Sequence, residues 1–380
     1  MKPILSMVAY FWQSISFVFP FLLVLGSLVF VHEFGHFIIG RFCGAVAKVF
    51  SLGIGPELVG FDDRRGTRWR VSALPLGGYV KFAGDQDAAG TPDPDALAAM
   101  TDQERKMSLA AQSLPRRAAI VAGGPLANFL FAILVFAMTA YIYGETKLVP
   151  RVADVSPESP AAHAGFRIGD VVKSIDGEPI DSFQDLSQTV AINDGRRLSI
   201  VVERDGRDLT LVATPAPVIA DSPLGREQRG FLGLQASDDP KDLNTRFPGP
   251  LGALLIGAAR SWSIARQTGV YVAHLIGGHE TPAKLSGPIR IAQISNLAIA
   301  NGIPALLNFI ALLSVSLAMI NLVPLPLLDG GHLLFYAIEG LRGKPLSRRM
   351  QEFSTRIGVA LVMALMIFVT VHDVWRIIAP

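Results

Sequence analysis

The sequence predicts a multi-pass α-helical membrane protein with about four transmembrane helices, a cytoplasmic membrane-associated β-hairpin region and one compact extracytoplasmic β-rich domain. Three observations carry that class. Half of the 380 residues are hydrophobic and 17% are charged, with a mean hydropathy of +0.40, whereas soluble domains carry about 25% charge. Apolar stretches recur at 15–40, 118–144, 304–323 and 357–375, each close to the roughly 20 helical residues that cross a bilayer. Between the second and third lies a long segment of short alternating runs and turn dipeptides, the pattern of a small β-domain. The net charge of +2 and the lack of basic runs interleaved with aromatics exclude a nucleic-acid partner. Cys43 is the only cysteine, so no intramolecular disulfide forms, and the residue reads as a small packing side chain near a helix end.

Taken in order, residues 1–43 hold the first membrane helix. The N-terminus carries one lysine and no small-residue cleavage site, so it reads as a retained helix rather than a removed signal. Residues 44–117 form a loop in which β-branched and aromatic runs around Phe50–Pro56 and Trp69–Lys81 are punctuated by glycine and proline, predicting hairpins that lie against the membrane. Within that loop, 84–103 is rich in Asp, Ala, Gly and Pro and reads as a mobile linker. The second helix occupies 118–144, after Arg116 and Arg117. Residues 145–235 form the β-domain, in which Asp205-Gly206 joins two alternating strands at 198–203 and 208–213 as a tight hairpin. His163 is expected at its surface. Residues 236–303 include an amphipathic stretch at 250–278, with Trp262, Ile264, Tyr271 and Leu275 set against Arg260 and Arg266, expected to lie on the outer membrane surface, with a buried or spanning helix as the alternative. The third helix and the loop after it span 304–335. A second short loop and the fourth helix complete 336–380, where His372 and Asp373 are expected at the interface.

Lysine and arginine set the orientation. The loop after span one is dense in them (Arg41, Lys48, Arg64, Arg65, Arg68, Arg70), as is the loop between spans three and four (Arg342, Lys344, Arg348, Arg349, Arg356), while the tails carry Lys2 and Arg376. The positive-inside rule therefore places both loops in the cytoplasm, and both termini and the β-domain outside.

The chemistry lies where it is expensive to place. Between 15 and 40 the only ionisable residues are His32, Glu33 and His36, each costing roughly 2.5–3.5 kcal/mol at membrane depth. Positions i and i+4 share a helix face, so both imidazoles can reach one metal, with Glu33 placed as general base toward water. Two histidines and a carboxylate are a zinc set, and a catalytic zinc takes three protein ligands. The third is sought in Asn321-Leu322-Val323-Pro324-Leu325-Pro326-Leu327-Leu328-Asp329-Gly330-Gly331-His332, where prolines and glycines break the third span. Asp329 is favoured and His332 is the competitor. Asn321 can hold a substrate carbonyl or its developing oxyanion, or else bridge two helices.

Ser159 to Asp170, with Gly-x-x-x-Gly-Asp before the strand that ends Asp176-Gly177, resembles a PDZ domain of bacterial envelope proteases, a module that binds extended chains at a sheet edge. Over most of the chain the sequence resembles the site-2 protease family. The resemblance lies in His32-Glu33-Phe34-Gly35-His36, Gly123-Gly124-Pro125-Leu126-Ala127-Asn128 and Asn321 to Gly330. Leu74 to Lys81 and Ser286-Gly287-Pro288-Ile289 resemble the regulator of sigma-E protease (RseP) branch. The resemblance implies Zn2+ held by His32, His36 and Asp329, with Glu33 as general base and Asn321 near the substrate. It also implies that Gly77, Gly78, Tyr79 and Val80 form an edge touching an unfolding substrate helix, and that Asn128 packs close to the site. It further implies regulated intramembrane proteolysis in the bacterial inner membrane, acting on single-span proteins such as an anti-sigma factor or signal-peptide remnants, after a first (site-1) protease. The sequence departs in having one PDZ-like module where well-known enterobacterial members carry two. Two other readings compete: a catalytically silent scaffold binding peptides, which would not need Glu33, and a transporter, against which stand the small number of spans and the absence of an inverted repeat.

Overall fold

The computed structural model describes residues 2–85, 98–222, 225–237, 239–278 and 287–378. Most of the expected linker (86–97) and Ser286 lie outside them. The chain divides into two compact units: one of Met1–Thr139, Leu254–Gly269 and Thr281–Pro380, the other of Ala140–Ala253 and Val270–Glu280.

In the first unit, helix α1 runs Lys2–Cys43, and its part from Phe19 to Cys43 is long and apolar enough to cross a membrane. Strands β1 (Ala47–Asp62) and β2 (Arg68–Phe82) pair antiparallel but each folds back on itself. Phe50 faces both Val80 and Trp69, and Trp69 also faces Phe61, so the two strands make a four-ribbon sheet with 78–82 at one edge. Gly53 and Gly55, at φ +85° and +98°, supply the left-handed backbone that lets β1 double over. Stacking of Phe50 on Trp69 (4.3 Å) and of Trp69 against Phe61 (6.2 Å) ties the ribbons together. Ile54, Leu58, Val59 and Leu74, around the fold-back, all remain exposed. The part of the linker described beyond residue 97 is ordered at its end, where Thr101 and Glu104 form a capping box on the short helix α2 (Asp102–Lys106).

Helix α3 (Leu114–Tyr143) crosses α1 at a glycine contact. A Cβ on Gly35 would overlap the Gly123 carbonyl and the Ala127 methyl, and one on Gly123 would fall 2.8 Å from the Gly35 carbonyl. That closeness is how small residues drive helix association in lipid.

The second unit places the segment expected to be PDZ-like in a set of small sheets. Strands β3 (Glu145–Leu148) and β4 (Val152–Val155) open it, followed by helix α4 (Pro160–His163) capped by Ser159. Strands β5 (Val171–Ile175) and β6 (Glu178–Pro179), helix α5 (Phe183–Ala191), and strands β7 (Leu198–Arg204) and β8 (Arg207–Ala213) follow. The four-stranded sheet has the order β6-β5-β7-β8. Asp205 and Gly206, at φ 50° and 74°, make the hairpin turn expected between β7 and β8. Strands β9 (Ala216–Ser222) and β10 (Gly225–Phe231) pair antiparallel as a separate two-stranded sheet; β11 (Leu234–Ala236) pairs with β4, and β12 (Leu243–Arg246) with β3. The core is built by Val152, Phe166, Val172, Ile175, Leu186, Leu198, Ile200 and Val202. Beside it, buried Asp170 receives a two-pronged bond from Arg204 at 2.7 and 2.8 Å. Burial opposes the charge on Asp170, but Arg204 and the Arg167 amide together hold its pKa below the usual range. His163 is exposed, as expected.

The chain continues with α6 (Pro250–Ile276), α7 (Pro288–Ala300), α8 (Ile303–Asn321), α9 (Asp329–Arg342) and α10 (Arg348–Ile378). Four helices among the described residues are long and apolar enough to cross a membrane: Phe19–Cys43, Leu114–Tyr143, Ile303–Asn321 and Arg349–Trp375. For α6 the buried alternative replaces the surface one. The start of α6 does not lie free on a surface, because Gly257 seats against the Ile133 carbonyl and Ala137 of α3. Ala265 joins a core with Ala132, Val135, Phe136, Ala311 and Val315. Its small residues recur every four positions, and that stripe outweighs the amphipathic pattern. Asp373 is buried, and its Oδ2 accepts from the Arg290 N–H (3.1 Å) in the first turn of α7. A carboxylate there meets unpaired amides and the positive end of the helix.

Candidate metal centre

α1 presents His32 and His36 one turn apart, with their Nε2 atoms 3.2 Å from each other. The third group comes from the far side of the broken helix. α8 stops at Asn321, Pro324 and Pro326 prevent it from continuing, and α9 restarts at Asp329. The Asp329 Oδ2 lies 3.2 Å from His32 Nε2, and its Oδ1 lies 3.5 Å from His36 Nε2. The three side chains are the one His/Cys/Asp/Glu group among the described residues whose ligand atoms gather within metal-binding range, all within 4.8 Å of one another. His332 lines the same cavity but is not part of that group.

Glycines make this possible. A Cβ on Gly124 would collide with the His36 ring and sit 2.8 Å from His32 Cε1. Cβ atoms on Gly330 and Gly331 would run into the carbonyls of Leu322, Val323 and Leu325, so only glycine lets the first turn of α9 tuck under the proline loop. Gly358 of α10 backs that loop at the Pro326 carbonyl.

The residues fit a divalent cation. His36 Nδ1 faces the Ile120 carbonyl at 2.9 Å, an acceptor that requires the proton on Nδ1 and leaves the Nε2 lone pair facing inward. Asp329 Oδ2 is buried without a hydrogen-bond donor. The His36 lone pair and the donorless Asp329 oxygen face the same space, where a positive charge would hold them together. Ligands at about 2.0–2.1 Å in tetrahedral array stand about 3.3–3.4 Å apart; the two imidazole Nε2 atoms are 3.2 Å apart, and Asp329 Oδ2 lies 3.2 Å from that of His32.

Around this cluster lies a cavity of about 220 Å³ lined also by Glu33, Gly78, Tyr79, Val80 and Asn321. Gly77, grouped with that edge by the sequence, is not among the lining residues; it sits at φ +88° beside Ile54. Gly78 is pressed against α1, where a Cβ would meet Glu33 Cγ at 3.0 Å. Glu33 accepts a hydrogen bond from the Val80 backbone. Asn128 is wholly buried, with its amide nitrogen 3.4 Å from His32 Nδ1.

Sequence reasoning missed three further residues that line the cavity, Asp85, Tyr336 and Leu109. Behind it, Arg117 pairs with Glu339 and covers the Tyr336 ring at 4.9 Å. Burial pushes the Tyr336 hydroxyl pKa up. A signal was there: 329, 332, 336 and 339 fall on one helical face once α9 is known to start at the aspartate.

A family model described as peptidase family M50 matches residues 20–365, taking in both halves of this cluster. The chain belongs to peptidase family M50. Relatives of this M50 peptidase are similar along their whole length. A protein of Agrobacterium fabrum named "Putative zinc metalloprotease" is 42% identical over 364 residues, covering 96% of this chain and 97% of its own. One of Rhizobium meliloti, with the same form of name, is 43% identical, covering 95% and 97%. The metalloprotease MmpA of Caulobacter vibrioides is 36% identical over 379 residues, covering 93% and 94%. The site-2 protease resemblance is thereby met at the level of the family.

Proposed function

We propose that this M50 peptidase is a zinc endopeptidase that hydrolyses peptide bonds within or near the membrane helix of single-span proteins. One observation carries the reading: His32, His36 and Asp329 converge at the end of an apolar helix, beside Glu33 and a sheet edge, in one cavity. His32, His36 and Asp329 would hold the ion. Zinc, when bound, polarises a carbonyl and lowers the pKa of a coordinated water to about 7. Glu33 takes the proton released as water adds to the scissile carbon, then passes it to the nitrogen that leaves as the C–N bond breaks. Asn321, at the end of α8, donates its amide to the carbonyl oxygen as charge develops there. A substrate helix shields its own carbonyls, so it must unwind before cleavage. The edge at Gly78–Val80 replaces the lost hydrogen bonds by adding the unwound segment as a further strand.

The protein sits in a bacterial inner membrane with both cytoplasmic loops, and hence the site, toward the cytoplasm. The apolar fold-back of β1 and β2 dips into lipid. The module at 145–235 acts as a PDZ-like screen for chains already trimmed by an upstream protease, in the manner of the RseP branch of the family. The test is cleavage of a panel of single-span proteins in detergent. Glu33→Gln is expected to retain zinc and lose about 10²–10⁴-fold in kcat, and His32→Ala to lose zinc itself. Undiminished cleavage by Glu33→Gln, or a purified protein without zinc, would refute the proposal.

A further inference from the structure

The metal reading leaves one buried polar residue beside the ligands with no assigned task. Asn128 on α3 is wholly inaccessible, and Ser314 of α8 clamps its backbone carbonyl at 2.9 Å. Its carboxamide stands 3.4 Å from His32 Nδ1, the ring nitrogen opposite the one that faces Asp329. We propose that Asn128 is a positioning residue that presents its amide oxygen to His32 Nδ1–H and so holds the ring in the tautomer whose Nε2 is free to bind metal. The inference rests on the metal site described above.

The two histidines make the argument by comparison. Nδ1 of His36 meets the Ile120 carbonyl, which can only accept, so its Nε2 carries a lone pair. His32 needs the same arrangement, because its Nε2 faces Asp329 Oδ2 at 3.2 Å and His36 Nε2 at 3.2 Å. With the amide nitrogen turned toward Nδ1, the proton of a neutral His32 would sit on Nε2, inside the ligand cluster. That orientation also leaves the Asn128 oxygen buried and without a partner. Carboxamide oxygen and nitrogen have nearly the same shape and are told apart by their hydrogen bonds. Rotating the amide by half a turn brings the partnerless oxygen to the one ring atom that requires an acceptor. Outer groups of this kind orient ligating imidazoles and raise their basicity.

The experiment is zinc affinity of the purified full-length protein, measured by competition with a chromophoric chelator, for wild type, Asn128→Leu and Asn128→Asp. Leucine has similar bulk and no acceptor, and is expected to weaken zinc binding about 10–100-fold. Aspartate accepts but cannot donate, and is expected to bind at least as tightly as wild type. Its His32 Nδ1–H signal, read by ¹⁵N NMR of the zinc-loaded protein, should move downfield. Wild-type affinity in Asn128→Leu overturns the proposal. So does a tenfold loss in Asn128→Asp, the result a donor role predicts; this arm stands even if the leucine variant fails to fold. Absence of zinc binding in wild type would instead refute the metal site itself.

Discussion

Replacing Gly124 by alanine asks whether the glycine contact between α3 and the imidazoles sets the metal site. The added methyl would lie 2.8 Å from His32 Cε1 and closer still to the His36 ring. Ordinary contact begins at 3.4 Å, so the His32 ring must give by about 0.6 Å and the His36 ring by more, at least three times the ±0.2 Å within which metal–ligand distances are held. The helix cannot back away freely, because Gly123, one residue earlier, is locked against the Gly35 carbonyl. The imidazoles must therefore move. Zinc affinity is expected to fall about 10–100-fold, the scale of disturbed ligand orientation, or about 1.4–2.7 kcal/mol. The fold should survive, since alanine is the better helix former. Zinc competition and cleavage in detergent, checked against the thermal midpoint of the metal-free protein, measure this. Wild-type affinity and rate in Gly124→Ala would refute the packing argument.

Three further outcomes follow from the same structure. Glu339→Ala leaves the partly buried Arg117 guanidinium without its carboxylate beside Tyr336; a loss of about 1.5–3 kcal/mol is expected, read as a lower unfolding midpoint with the Arg117→Ala, Glu339→Ala double mutant no worse. Asp63 has its pKa held down at about 2: burial opposes the charge, but the Thr67 and Arg65 amides, the Trp69 indole and Arg41 outweigh it. Its folded pKa lies below the unfolded value of 3.8, so this contribution is complete above about pH 4 and is lost as pH falls toward 2. Hydrogen exchange of the β1–β2 sheet should accelerate across that window in wild type and lose that pH dependence in Asp63→Asn. Zinc removal by chelation should lower the midpoint of the whole protein, since zinc at 100 times its Kd adds about 2.7 kcal/mol; an unchanged midpoint with demonstrated metal loss would show that the site contributes nothing to folding.

What the sequence determined alone was local. The shared face of His32 and His36 follows from helical period, the break after Asn321 from proline's missing donor, and the turn at Asp205-Gly206 from backbone conformations that Gly, Asn and Asp tolerate. The apolar spans were legible because lipid demands an unbroken hydrophobic run. Tertiary structure alone decided which distant group meets the imidazoles: Asp329 and His332 lie three residues apart on one helix, and only the seating of α9 under the proline loop selects the aspartate for the cluster. It likewise revealed why Gly35, Gly123 and Gly124 carry no side chain, that Asp373 caps α7, that Arg117 holds Glu339, and that β1 and β2 fold into four ribbons. Each of these depends on contact between segments far apart in the chain, and such contacts leave no period in the sequence. They arise only when helices pack closely enough for one missing Cβ to matter.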